Sequence, residues 1–186
     1  MRTRKARGGA ALMAVASVAL ASMMAVGAQG RPRASIDVVL DADGVHAGQS
    51  ARAALRVALP EGIHVQSSAP HDPFLIATAA TVPPTAGVTV AEVVYPPAID
   101  FAQAGQSVPL TVFEQRFAIG LKLAIAPGTP TGDLQVPIQL RYQPCDATTC
   151  FAPAGEQLTA TLHVVPDSTT PKPQLVDLFN ELRFSR

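Results

Sequence analysis

Beyond residue 33, apolar residues recur at every second position. From Ala51 to Leu59 the set Ala51, Ala53, Leu55, Val57 and Leu59 alternates with a face carrying Arg52 and Arg56, the pattern of a half-buried β-strand. Phe117, Ile119, Leu121, Leu123 and Ile125 alternate with Arg116 and Lys122 in the same way. Leu134, Val136, Ile138, Leu140 and Tyr142 alternate with Gln135, Gln139 and Arg141; Leu158, Ala160, Leu162 and Val164 alternate with Gln157, Thr159, Thr161 and His163. Fainter strands are predicted over 35–40, 74–81 and 88–95. Turn chemistry separates them at Asp43-Gly44, Pro60-Glu61-Gly62, Pro83-Pro84 and Pro127-Gly128. Seven or so short strands with these breaks predict an all-β fold, an immunoglobulin-like antiparallel β-sandwich. Pro137 lies inside one strand and cannot donate to a ladder, so that strand is expected at an edge or with a bulge there.

The pattern changes at the two ends. After a polar, Pro-rich stretch over 166–173 that reads as a linker, Leu175, Val176, Leu178, Phe179 and Leu182 fall at helical spacing. They predict one short C-terminal helix, either docked on its own domain or frayed, or else offered to a partner or a membrane surface. At the other end Arg2, Arg4, Lys5 and Arg7 precede an apolar run from Ala10 to Val26 and the small residues Gly27 and Ala28. That is the layout of a secretory signal, with cleavage expected after Ala28. An uncleaved anchor is the rival reading, because the run approaches the ~18 residues of a spanning helix. With no Cys near the cleavage point, lipidation is not expected, and Thr3 between Arg2 and Arg4 removes a twin-Arg signal. The expected organisation is therefore a signal over 1–28, a sandwich domain over 34–166, and a linker with a short helix over 167–186.

Composition sharpens this picture. The chain is 48% hydrophobic and 15% charged, which argues against intrinsic disorder, and its 14 basic and 14 acidic residues exclude a basic nucleic-acid binder. Removing 1–28 leaves 10 basic against 14 acidic residues, a formal charge of −4. All four Met leave with that segment, which excludes a thioether copper site in the exported domain. Both Cys remain, in a periplasmic or secreted setting where disulfides form. His46, His64, His71 and His163 show no paired-ligand spacing with them, so neither a metal nor another cofactor is expected.

The chemistry concentrates at Cys145 and Cys150, which end one strand and open a short return. A disulfide needs Cα atoms about 4.4 to 6.8 Å apart, and a tight antiparallel loop meets that requirement. Closing about six residues stabilises by roughly 2 kcal/mol on the chain-entropy expression, near the low end for a bridge. Spacing alone leaves a redox centre and a structural staple equally open. Asp146 adjoins Cys145, and no Lys or Arg lies between Pro144 and Pro153, so Cys145 is not expected to be strongly acidified.

The blocks Gly62-Ile63-His64-Val65-Gln66-Ser67-Ser68, Pro73-Phe74-Leu75-Ile76, Gly87-Val88-Thr89-Val90 with Tyr95-Pro96-Pro97, and Tyr142-Gln143-Pro144-Cys145 with Cys150 and Pro153 occur in that order. Over about residues 36–165 the chain resembles the N-terminal periplasmic domain of the thiol:disulfide interchange protein DsbD. The resemblance implies an immunoglobulin-like sandwich whose cysteine pair cycles between dithiol and disulfide. It implies electron relay between a thioredoxin-like donor and exported thiol-disulfide clients, with Cys145 and Cys150 as the reacting groups and Cys150 the more accessible. The family's aromatic cap over the sulfurs maps near Asp100 and Phe101, and the Tyr pair of some members falls near His64 and Gln66. The family's membrane segment and thioredoxin-like domain have no counterpart here, so the reductant is expected to be another protein, with no membrane span left after signal cleavage.

Other residues have simpler readings beside their functional ones. His64, with an ordinary pKa near about 6.5, suits proton shuttling, but a lone His at a strand edge is more often a surface or packing residue. Tyr142, Phe151 and Phe101 each read as packing as readily as site residues. His163 points outward on its strand, and Asp41 with Asp43 reads as a turn rather than a calcium loop. Ser67 and Ser68 lack a nucleophile elbow. The competing function is a non-enzymatic immunoglobulin-like binding or assembly module whose disulfide only pins a loop.

Overall fold

The computed structural model describes residues 30–185, so the expected signal over 1–28 lies outside the described residues. Alternation becomes strand where it was strongest: β1 (Ser35–Leu40), β2 (Ser50–Ala58), β3 (His64–Gln66), β4 (Ala79–Thr81), β5 (Val88–Val94), β6 (Ile99–Phe101), β7 (Leu110–Glu114), β8 (Arg116–Ile125), β9 (Gly132–Tyr142), β10 (Pro144–Cys145) and β11 (Ala154–Val164). One helix, α1 (Val176–Glu181), follows. The strands form antiparallel sheets in the orders β1-β2-β8-β5, β10-β3-β7-β6 and β11-β9-β4. Apolar faces of the first and third sheets meet in one core, with Leu55, Ile119 and Leu121 from one side and Ile138, Leu140 and Leu162 from the other. Val65 and Phe113 join the second sheet to that core. The architecture is the expected immunoglobulin-like antiparallel sandwich with a short C-terminal helix.

More strands form than alternation predicts, because β3, β6, β7 and β10 are two to five residues long and too short to show a period. Conversely, the strand expected over 74–81 shrinks to β4. Asp72 takes the start of that segment into a turn: its Oδ1 accepts the Phe74 N–H at 2.8 Å and its carbonyl accepts the Leu75 N–H at 3.1 Å. Phe74 is left 91% exposed. Pro137 fits the edge expectation. β4 pairs β9 only at Gln139, Leu140 and Arg141, so β9 has β11 alone as neighbour at Pro137.

Two local conformations deliver the second sheet. Pro60 accepts the Ile63 N–H at 3.2 Å across a turn in which Gly62 has φ 73°, a region glycine enters without a Cβ clash, and β3 starts directly afterwards. Between β7 and β8, Gln115 sits at φ 53° and passes the chain from the second sheet to the first.

The stretch 166–173, read as a linker, is tied down. Asp43 donates its N–H to the Lys172 carbonyl at 3.1 Å and accepts the Lys172 N–H on Oδ1 at 2.7 Å, while Gln174 donates to the Asp41 carbonyl at 2.7 Å. Beyond it the helix docks on its own domain. Phe179 and Leu182 bury against Ala54 on the outer face of the first sheet, with Val39, Ala118 and Phe184 around them. The Arg52 guanidinium lies 5.5 Å from the Phe179 ring centroid and 5.8 Å from that of Phe184. Alternation suggested a solvated outer face for β2; the tail covers it instead.

Candidate functional site

The second sheet places the cysteines. β10 pairs with β3 so that Cys145 lies opposite His64 and Pro144 opposite Val65. A hairpin then turns back, with Asp146 donating its N–H to the Thr149 carbonyl at 2.9 Å and Phe151 donating to the Pro144 carbonyl at 2.8 Å. Asp146 builds the turn with its side chain as well. Its Oδ1 accepts from the Thr148 N–H, the Thr148 hydroxyl and the Thr149 N–H at 2.8, 2.9 and 2.8 Å, and these bonds hold its carboxyl below the usual range, so it remains ionised. Within this hairpin Cys145 and Cys150 are joined by a disulfide with Cα atoms 3.9 Å apart. Cys145 is fully buried, whereas Cys150 is only partly covered.

β3 contributes the floor of the site by simple alternation. Val65 points to the core, so His64 and Gln66 share the opposite face, the one that meets the cysteines. Gln66 is completely buried, and its Nε2 donates toward Cys145 Sγ at 3.4 Å and toward Cys150 Sγ at 3.7 Å. Its Oε1 has no hydrogen-bond partner. His64 is 2% exposed and its Nε2 is likewise unpartnered. Burial pushes its pKa below the ordinary value, against the opposing pull of Glu114 and Asp146, so the imidazole is held neutral. His64 is thus a buried residue beside Cys145 rather than a surface residue at a strand edge.

The segment over 99–104 closes the site from the far edge of the same sheet. The Phe101 ring packs on His64, centroid to centroid 4.1 Å. Gln103 Nε2 donates to the Asp146 carbonyl at 2.9 Å and approaches Cys150 Sγ at 3.9 Å, and the Ala104 N–H donates to the Ala147 carbonyl at 3.1 Å. The aromatic anticipated near residue 101 therefore covers His64, and the side chain of this segment that reaches a sulfur is Gln103. Nothing in the sequence marked Gln103, because its approach depends on two loops meeting. Gln66 was legible in principle, two residues from His64 on one strand face.

The aromatic neighbours in sequence diverge in space. Tyr142 is buried in the main core, and its hydroxyl accepts the Ala34 N–H at 3.0 Å, a packing position at the sandwich's N-terminal edge. Burial raises its pKa. Phe151 enters through its backbone, its carbonyl accepting from Gln143 Nε2 at 3.3 Å. Among the described residues no three His, Cys, Asp or Glu side chains gather as a metal-ligand set. The arrangement holds a bonded cysteine pair under amide donors, with Cys145 buried and Cys150 partly exposed.

The family model described as thiol:disulfide interchange protein DsbD, N-terminal, matches residues 37–162. A search of curated proteins finds no match. Among solved structures, the reduced N-terminal domain of DsbD from Neisseria meningitidis is similar at 12% identity, covering 73% of this chain and 89% of that one, with a TM-score of 0.43.

Proposed function

The chain belongs to the DsbD N-terminal family of thiol:disulfide interchange proteins, and from that premise we propose that Cys145 and Cys150 are its reacting pair. In the reductive half of the cycle a thiolate of a thioredoxin-like dithiol donor attacks Cys150 Sγ. The Cys145–Cys150 bond breaks, its electron pair passes to Cys145 Sγ, and a mixed disulfide joins the donor to Cys150. The donor's second thiolate then attacks its own sulfur in that bond and releases Cys150. The donor leaves as a disulfide and the domain as a dithiol after taking up two protons. Exchange with an oxidised client runs the same steps in reverse.

The observation that carries this assignment is the unequal cover of the two cysteines, with Cys145 buried and Cys150 partly exposed. Attack needs access to one sulfur and an exit for the electron pair on the other, and this hairpin presents that asymmetry. His64, neutral and paired in register with Cys145, is the proposed proton carrier once the site opens. Phe101 and Gln103 form the cover that a partner displaces.

The working compartment in this reading is the periplasm, reached through the signal over 1–28. Among the described residues no helix is long and apolar enough to cross a membrane. The deciding experiment takes Cys145→Ser and Cys150→Ser variants whose remaining thiol is first capped as a mixed disulfide with thionitrobenzoate, and incubates them with a reduced thioredoxin-like protein whose resolving cysteine is removed, so that its thiolate displaces thionitrobenzoate. A mixed disulfide is expected on Cys150 in the Cys145→Ser variant, and the wild-type pair should equilibrate with glutathione at a potential above about −300 mV. A pair that stays oxidised under every physiological thiol would instead be a staple.

A further inference from the structure

Gln66 is an expensive residue to place where it stands. It is completely buried, its Oε1 has no partner, and leucine or methionine would fill the same volume without an orphaned acceptor. Its one set of side-chain contacts through Nε2 is to the two sulfurs, at 3.4 Å for Cys145 and 3.7 Å for Cys150. A packing role leaves both facts unexplained.

The electrostatics of the site show what such a donor is for. When Cys150 is attacked, the electron pair of the broken bond arrives on Cys145, a sulfur with no exposure to water. The titratable groups on the elements around it are His64 on β3, Glu114 on β7, Asp100 on β6 and Asp146 in the hairpin. Three of these are carboxylates, and none of these segments carries a Lys or Arg. The Cys145 thiolate therefore forms without water, without a cation and beside an ionised Asp146. Among the described residues, Gln66 supplies the one side-chain N–H that reaches that sulfur.

We infer that Gln66 is a catalytic residue of the exchange, its carboxamide N–H stabilising the thiolate that leaves on Cys145. This rests on Cys145–Cys150 being the reacting pair. The strand fixes the amide before reaction, so the donor needs no rearrangement as charge develops on the sulfur. A neutral amide also lowers the thiolate's energy without adding a charge, which keeps the reduced pair weakly acidic and reserves its reactivity for docked partners.

The test uses Gln66→Met, which keeps the length and burial of the side chain and removes the N–H. In a Cys150→Ser background the Cys145 thiol pKa, read from thiolate absorbance, is expected to rise by about one unit in Gln66→Met. Reduction of the intact disulfide by dithiothreitol at pH 7 should slow about threefold, as follows from a poorer leaving thiolate. The wild-type chain provides a measurement free of folding artefacts: in the reduced protein, the Gln66 side-chain amide proton resonance should shift with the Cys145 titration. An unchanged thiol pKa and reduction rate in Gln66→Met, or a Gln66 amide that ignores that titration, overturns the inference. Because dithiothreitol reads the chemistry without a protein partner, failure to exchange with thioredoxin-like proteins would sink the functional reading separately.

Discussion

The Phe101 ring lies on the His64 imidazole, with centroids 4.1 Å apart and planes inclined by 38°. This contact joins the far edge strand of the second sheet to the strand that pairs with Cys145, so cover and chemistry share one aromatic pair. Removing it exposes the site. Phe101→Ala is expected to speed reduction of the disulfide by dithiothreitol several-fold and to return the His64 pKa toward its ordinary value of 6.5. Stopped-flow reduction and a histidine NMR titration check both outcomes, and an unchanged rate would remove Phe101 from the cover.

His64 also makes stability depend on pH. Its folded pKa is lowered, so below its unfolded value the unfolded chain binds a proton that the folded chain refuses. The stabilisation is complete above about pH 6.5 and declines as pH falls from there toward the folded pKa. Urea unfolding at pH 7.5 and 5.5 should show a steeper loss for the wild type than for His64→Gln. Equal slopes in the two proteins would contradict a neutral buried imidazole.

Asp146→Asn separates the turn from the charge. The amide oxygen can still accept the Thr148 and Thr149 N–H groups, so the hairpin should persist, while the negative charge next to Cys145 disappears. The thiol pKa of Cys145 is expected to fall by about half a unit or more, measured in a Cys150→Ser background. Asp146→Ala should in addition lose stability from the broken turn, read as a lower denaturant midpoint than that of Asp146→Asn.

Gln103→Ala removes the donor to the Asp146 carbonyl and the side chain that approaches Cys150 Sγ, and leaves the disulfide and Gln66 in place. Amide exchange at Ala104, whose N–H donates to Ala147, is expected to accelerate, with a parallel rise in the rate of reduction by small thiols. Exchange that stays slow would place the closure of this segment elsewhere.

The C-terminal tail is a stability element distant from the sulfurs. A Cβ on Gly120 would meet the Phe184 ring at 2.5 Å, so Gly120→Ala must displace that ring, at a cost of roughly 1–2 kcal/mol. Phe179→Ala should cost about 3 kcal/mol from a buried aromatic. Denaturant midpoints should fall in both, with dithiothreitol reduction rates at the wild-type value; altered rates would tie the tail to the site.

Local pattern decided much of this protein. Period-two alternation marked β2, β8, β9 and β11, because a strand half buried in a sandwich must put every second side chain on the core. The short spacing of Cys145 and Cys150 made a tight return between them readable, while the structure shows Asp146 building its turn through Thr148 and Thr149. Those are short-range constraints, written in neighbouring residues. Tertiary structure alone decided the rest. β3, β6 and β7 are too short to signal themselves, yet their pairing is what sets His64 and Gln66 beneath the sulfurs and Phe101 with Gln103 over them. The covered outer face of β2 was likewise invisible, since Ala54 buries only when residues more than a hundred positions away fold back on it. Which polar groups lose water is a property of the assembled sheets, and the loss of water is what makes an ordinary His and Gln at 64 and 66 chemically consequential.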